Sequence, residues 1–112
     1  MPYERERQFY RLRFPPDDLA EFLIGQLKMP IHEASERGIR YEPVAGHEPE
    51  PGDDVMGTVV FKRVGKFPVR GTMSRRQEST IVVVLEPPGL PYSAVMAEQL
   101  YLRKRYPERF AG

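Results

Sequence analysis

The run Val55-Met56-Gly57-Thr58-Val59-Val60-Phe61-Lys62-Arg63, turned by Val64-Gly65-Lys66 and answered by Phe67 to Arg75, constrains the fold more than any other stretch. Its first half is rich in β-branched and aromatic residues, which suit a pleated, half-buried surface. In its second half Val69, Gly71 and Met73 alternate with Arg70, Thr72 and Ser74, the period of a strand with one face in a core. Two such runs around a glycine-bearing turn read as a hairpin. Thr80-Ile81-Val82-Val83-Val84-Leu85 is a continuous apolar run of strand length and reads as a central strand. Ala20 to Ile31 reads as one further strand. Asp17-Asp18 would cap a helix there, but Gly25 and Pro30 suit a helix poorly and no apolar stripe at i, i+3, i+4 persists. Ile39 to Pro43 is a short strand, and Val44 to Asp53 is a loop rich in glycine, proline and acids. Five closely spaced strands predict a mainly β fold, a small antiparallel barrel over residues 18–90.

The flanks differ from this body. Residues 1–17 follow neither a helical nor a strand period throughout, and Pro15-Pro16 closes them, so they read as an extended arm. In residues 91–112, Ser93 is placed to cap a helix running to about Tyr106, where Pro107 follows. Tyr92, Val95, Met96, Leu102 and Tyr106 can share one face, while Arg103, Lys104 and Arg105 suit the negative end of the helix dipole. Such a helix reads better as a cover for one mouth of the barrel than as a basic membrane-surface element.

At 112 residues the chain matches one domain with a modest core. It has no cysteine, which excludes disulfides, thiol catalysis and the usual structural zinc sites. No run of about 18 apolar residues exists, so no membrane insertion is expected. The segment Met1-Pro2-Tyr3-Glu4-Arg5-Glu6-Arg7 is too charged for the core of a signal peptide, which predicts a cytoplasmic protein. Net charge is only +1, but it is unevenly spread. Val55 to Gln77 holds six basic and no acidic residues, and Glu42 to Asp54 holds five acidic and no basic ones.

Two short motifs carry chemistry. Arg7-Gln8-Phe9-Tyr10-Arg11 sets two guanidinium groups four residues apart in the arm, where both forks can converge on one planar ligand. His32-Glu33-Ala34-Ser35-Glu36-Arg37-Gly38 is read as the corner between the first two strands. There Glu33 can accept hydrogen bonds from a base edge, Ser35 can offer a hydroxyl to an anion, and Gly38 permits positive φ and close approach of a ligand. An ordinary hairpin turn is the competing reading of the corner, and a solvated arm that of the arginines.

Taken together, RxxxR before a barrel and ExSxxG at its first corner resemble the PilZ domain, a bacterial receptor module for cyclic di-GMP. The signature of that family is RxxxR followed some 20 to 30 residues later by [DN]xSxxG. The resemblance spans nearly the whole chain, and one position departs from it: Glu33 stands where the family has Asp or Asn. It implies a PilZ-like barrel whose Arg7, Arg11, Glu33, Ser35 and Gly38 bind cyclic di-GMP, with Gln8 and Arg37 as additional contacts. It further implies that binding reorders the arm and signals to a protein effector. No enzyme, cofactor or metal is expected. His32 and His47 lack carboxylates in metal spacing, no orienting acid accompanies Ser35, and there is no phosphate-cradling P-loop. Two alternatives stand beside this reading. One is a PilZ-like adaptor that binds no nucleotide, kept open by Glu33. The other is a small nucleic-acid-binding barrel, which would expose Tyr41, Phe61 and Phe67 on one sheet face.

Overall fold

The computed structural model describes residues 11–110. They form strands β1 (Leu12–Arg13), β2 (Ala20–Ile24), β3 (Leu27–Ser35), β4 (Gly38–Tyr41), β5 (Asp54–Phe61), β6 (Gly65–Gln77) and β7 (Thr80–Leu85), then helices α1 (Tyr92–Arg105) and α2 (Pro107–Phe110). Strands β2 to β7 pair antiparallel in the order β3-β2-β5-β6-β7-β4, and β4 pairs back onto β3. The result is the expected mainly β barrel, closed by six strands rather than five. β1 is an added strand, lying beside β3 beyond the end of β2.

The extra strand comes from Ala20 to Ile31, which is a hairpin and not one strand. Gly25 adopts φ +58, a conformation open to glycine at no cost, and the chain reverses at Gly25-Gln26. The corner expected at residues 32–38 is also shorter than its composition suggests. β3 runs through Ser35, and only Glu36 and Arg37 turn before β4. Glu33 and Ser35 are therefore strand residues with fixed side-chain directions.

Two β-bulges set those directions. Met29 and Ile31 point into the core, so strict alternation would send Glu33 and Ser35 inward as well. Between Ile31 and Glu33 the register against β4 shifts by one residue, leaving His32 extra. Beyond the shift Ala34 takes the inward place, and Glu33 and Ser35 face out. β6 repeats the device. Val69, Gly71 and Met73 point inward, the register shifts between Met73 and Arg75, and Arg75 and Gln77 emerge on the outer face.

Inside the barrel Phe22 and Tyr41 meet with ring centroids 4.8 Å apart, and Phe61 lies 5.9 Å from Phe14. The buried Tyr41 hydroxyl is hydrogen-bonded to His47 Nε2 at 2.7 Å, so His47 is a partner of the core rather than a free surface side chain. Burial pushes the Tyr41 phenol well up and the His47 imidazole down, which keeps both neutral. His32 pairs instead with Glu42 at 2.8 Å.

Helix α1 docks through Val95 and Leu102, but also through Glu98 and Gln99. Tyr92 is exposed and does not share that face, and the N-cap is Pro91, with no side-chain hydrogen bond from Ser93. What fixes the helix is Arg63 from the β5–β6 turn. Its Nη2 donates to Glu98 Oε2 at 2.7 Å and its Nη1 to Asp18 Oδ1 at 3.0 Å, while its guanidinium lies 4.0 Å from the Tyr101 ring centre. Burial raises the Glu98 carboxyl, and the Arg63 charge offsets part of that rise. Burial acts on Asp18 too, but Arg63, Tyr106 and Lys62 outweigh it and hold its carboxyl below the usual value. Glu98 is only 1% exposed, so removing its cation strands a buried charge.

Arg63→Ala is expected to cost about 3–5 kcal/mol in denaturant unfolding at neutral pH. The deficit should narrow as the solution is acidified. Glu98 then takes up its proton and needs no cation, and the stability that Asp18 contributes above its depressed pKa is being lost from the parent chain as well.

Candidate functional site

Strand register assembles the site. Arg13 on β1 pairs with Glu33 on β3, Glu33 with Arg40 on β4, Arg40 with Val82 on β7, and Val82 with Arg75 on β6. At about 4.8 Å per strand these five outward residues form one row roughly 19 Å long. The next row holds Ser35, Gly38 and Val84. Together with Arg11, Arg37 and Gln77 they line a cleft of about 350 Å³ on the outer face of the barrel. Among the described residues, five guanidinium groups and one carboxylate thus line the cleft.

That carboxylate pairs with three of the five arginines. Glu33 Oε2 accepts from Arg40 Nη2 at 3.0 Å and lies 3.4 Å from Arg13 Nε, while Oε1 lies 3.7 Å from Arg11 Nε. Arg40 reaches Thr80 Oγ1 as well, at 3.3 Å. Arg37 is tethered differently, its Nε donating to the Leu85 carbonyl at 2.8 Å. The pairs differ in strength because their exposure differs. Glu33 and Arg40 side chains are 14% and 23% exposed, whereas Arg11 and Arg13 are 68% and 76% exposed and are largely screened by water.

Of the residues singled out in the sequence, Arg11, Glu33, Ser35, Arg37 and Gly38 line this one cleft, although they come from motifs more than twenty residues apart. Arg7 and Gln8 lie outside the described residues. Arg13, Arg40 and Arg75 belong to the cleft and were not anticipated. Two-residue spacing from Arg11 and from Gly38 marks Arg13 and Arg40 once those segments are known to be strands. Arg75 lies in the noted basic run, but only the β6 bulge reveals its direction. Gly38 also departs from expectation. Its φ is not positive, and a Cβ there would meet only the Val83 carbonyl oxygen at 3.5 Å and Ser35 Oγ at 3.7 Å. Neither the backbone nor packing requires glycine at that position; its missing side chain leaves room in the cleft.

The aromatics that would serve a nucleic-acid surface are not available for it. Tyr41 and Phe61 are buried and Phe67 packs against the core. Among the described residues no group of three potential metal ligands converges, and no helix is long and apolar enough to cross a membrane.

No known family model matches the sequence, and no curated protein matches it. Solved structures do resemble it. An uncharacterized Legionella protein, Lpg0364, superposes with a TM-score of 0.57 at 14% identity, covering 89% of this chain and 97% of that one. The Bacillus subtilis inhibitor of motility MotI/DgrA superposes with a TM-score of 0.49, also at 14% identity, over 92% of this chain and 52% of that one. This chain therefore spans about half the length of the second protein. The likeness to the Legionella protein is one of fold.

Gly38→Ala should leave the free energy of denaturant unfolding nearly unchanged, within about 0.5 kcal/mol. Gly71→Ala is the contrast. There a Cβ collides with the Val84 carbonyl oxygen and comes to 2.8 Å from the Val83 side chain, and a loss of about 1–3 kcal/mol is expected.

Proposed function

We propose that this chain is a receptor for cyclic di-GMP, PilZ-like in its use of the cleft, which passes the binding signal to a protein effector. The observation that carries the reading is the convergence of Arg11, Glu33, Ser35, Arg37 and Gly38 in one cleft together with three further arginines. The ligand has two guanines and two phosphates. Guanidinium groups pair in bidentate fashion with guanine O6 and N7, and they match phosphate oxygens equally well. Ser35 adds a hydroxyl. The absent side chain of Gly38 lets a base approach the strand, and half-exposed Val84 offers an apolar surface to a ring face. Arg7 and Gln8 are assigned to the same ligand on the strength of the motif. Because residues of the arm contribute contacts, binding changes how the arm lies on the barrel and so alters the surface an effector meets.

One observation favours a second reading, a PilZ-like adaptor that takes no nucleotide. Glu33 already accepts from Arg40 and lies against Arg13 and Arg11, so its oxygens are committed to the protein's own cations.

Calorimetric titration with cyclic di-GMP separates the two. A low-micromolar or tighter Kd, about −8 kcal/mol or better, is expected for the parent chain. Arg11→Ala should weaken it at least about tenfold, and GTP should not compete. Arg11 is well exposed, so the variant should keep its melting temperature. Absence of heat with the parent chain would select the nucleotide-independent adaptor.

A further inference from the structure

Glu33 sits where the proposed ligand's phosphates would find their arginines, and it uses the same donors they would use. The row Arg13–Glu33–Arg40 is fixed by register, with the carboxylate directly opposite a guanidinium on each neighbouring strand. The two sides are unequal. Arg40 is largely covered, bonded at 3.0 Å and steadied by Thr80. Arg13 is mostly in water and 3.4 Å away, and Arg11 is similarly exposed at 3.7 Å. An anion entering the cleft can detach Arg13 and Arg11 at small cost, whereas Arg40 gives up a covered pair.

We propose that Glu33 is an internal competitor rather than a ligand contact: in the ligand-free chain its carboxylate occupies donors that a phosphate-bearing ligand must win, and binding transfers Arg13 and Arg11 from Glu33 to the ligand while the Glu33–Arg40 pair persists. The inference rests on the reading of the cleft as a phosphate-binding site. It gives the longer acid a consequence: Glu33 lowers affinity for every anion alike, which places the threshold for ligand higher than the arginines alone would set it. Among the described residues, removing its charge changes the cleft from five cations against one anion to five against none.

The test uses Glu33→Gln, which keeps size and an oxygen for Arg40 but not the charge, with cyclic di-GMP and inorganic pyrophosphate as probes. The variant should bind its probe about three- to tenfold more tightly than the parent, the effect of removing a unit charge a few ångströms from an anion in solvated surroundings. The gain should shrink at high salt and shrink further in an Arg13→Ala background, where one of the contested donors is gone. A parent that ignores cyclic di-GMP while the variant gains affinity for pyrophosphate would uphold the competitor and reject the nucleotide. A parent that binds cyclic di-GMP with no gain in the variant would do the reverse. Equal or weaker binding of both probes by the variant, or no binding of either probe by any chain, overturns the inference. The parent chain supplies a check independent of how the variant folds. On titration with pyrophosphate, the Nε–H resonance of Arg13 should move and that of Arg40 should stay; movement of Arg40, with or without Arg13, or of neither, also overturns it.

Discussion

The outer face of this barrel depends on two one-residue register shifts. A strand buries every second side chain, so a run that has placed Met29 and Ile31 in the core is obliged to bury residue 33 next. A carboxylate there would be desolvated without a partner, at a cost the fold could not carry. The bulge at His32 transfers that obligation to Ala34, which is small and apolar, and turns Glu33 and Ser35 to the outside. The bulge after Met73 does the same for Arg75 and Gln77. Without the two shifts Glu33 and Arg75 would face the core and be lost to the cleft. The site is thus a consequence of pairing geometry before it is a matter of side-chain chemistry.

Once the cations share a face, electrostatics sets how firmly each is held. Arginines gathered on adjacent strands repel one another, and like charges directly opposite destabilise a sheet. Glu33 relieves that repulsion between Arg13 and Arg40, which flank it, and Val82 separates Arg40 from Arg75. The same ion types behave differently beneath α1. There Arg63 meets Glu98 and Asp18 with little water present, and the network pins a helix to the barrel. In the cleft the outer pairs are exposed and exchangeable. Burial rather than charge separates a structural arginine from one able to change partners.

Much of this was legible in the sequence. The alternation of Val69, Gly71 and Met73 and the apolar run from Thr80 to Leu85 found β6 and β7 because period and composition agreed there. Ala20 to Ile31 misled because its apolar residues continue across Gly25-Gln26, and a two-residue turn leaves little trace when one of its residues is an ordinary glutamine. The corner misled in the opposite sense. Its charged and hydroxyl residues look like a loop, yet they are one outward face of two strands. A bulge has no composition of its own, so the shift at His32 that exposes Glu33 could not be read. Glu98 and Gln99 escaped for a related reason: polar residues on a helix are assigned to solvent unless a cation such as Arg63, distant in sequence, is known to lie against them.

The cleft is also joined to the helix through backbone. The Glu36 carbonyl accepts from Leu90 N at 2.8 Å, and the Arg37 carbonyl accepts from Leu85 N at 2.9 Å while the Arg37 side chain returns to the Leu85 carbonyl. Gly89, at φ +68, lies so close to the Glu36 carbonyl that no Cβ would fit. The β3–β4 turn is therefore fastened to the segment that leads from β7 into α1. Backbone hydrogen bonds of this length weaken as they are lengthened or bent. A shift of the turn that carries Arg37 must either break them or carry Leu90, buried at the entrance to α1, along with it. Interiors packed at crystal-like density transmit such shifts rather than damp them. The turn that lines the cleft and the start of the helix are thus held together by backbone hydrogen bonds as well as by packing.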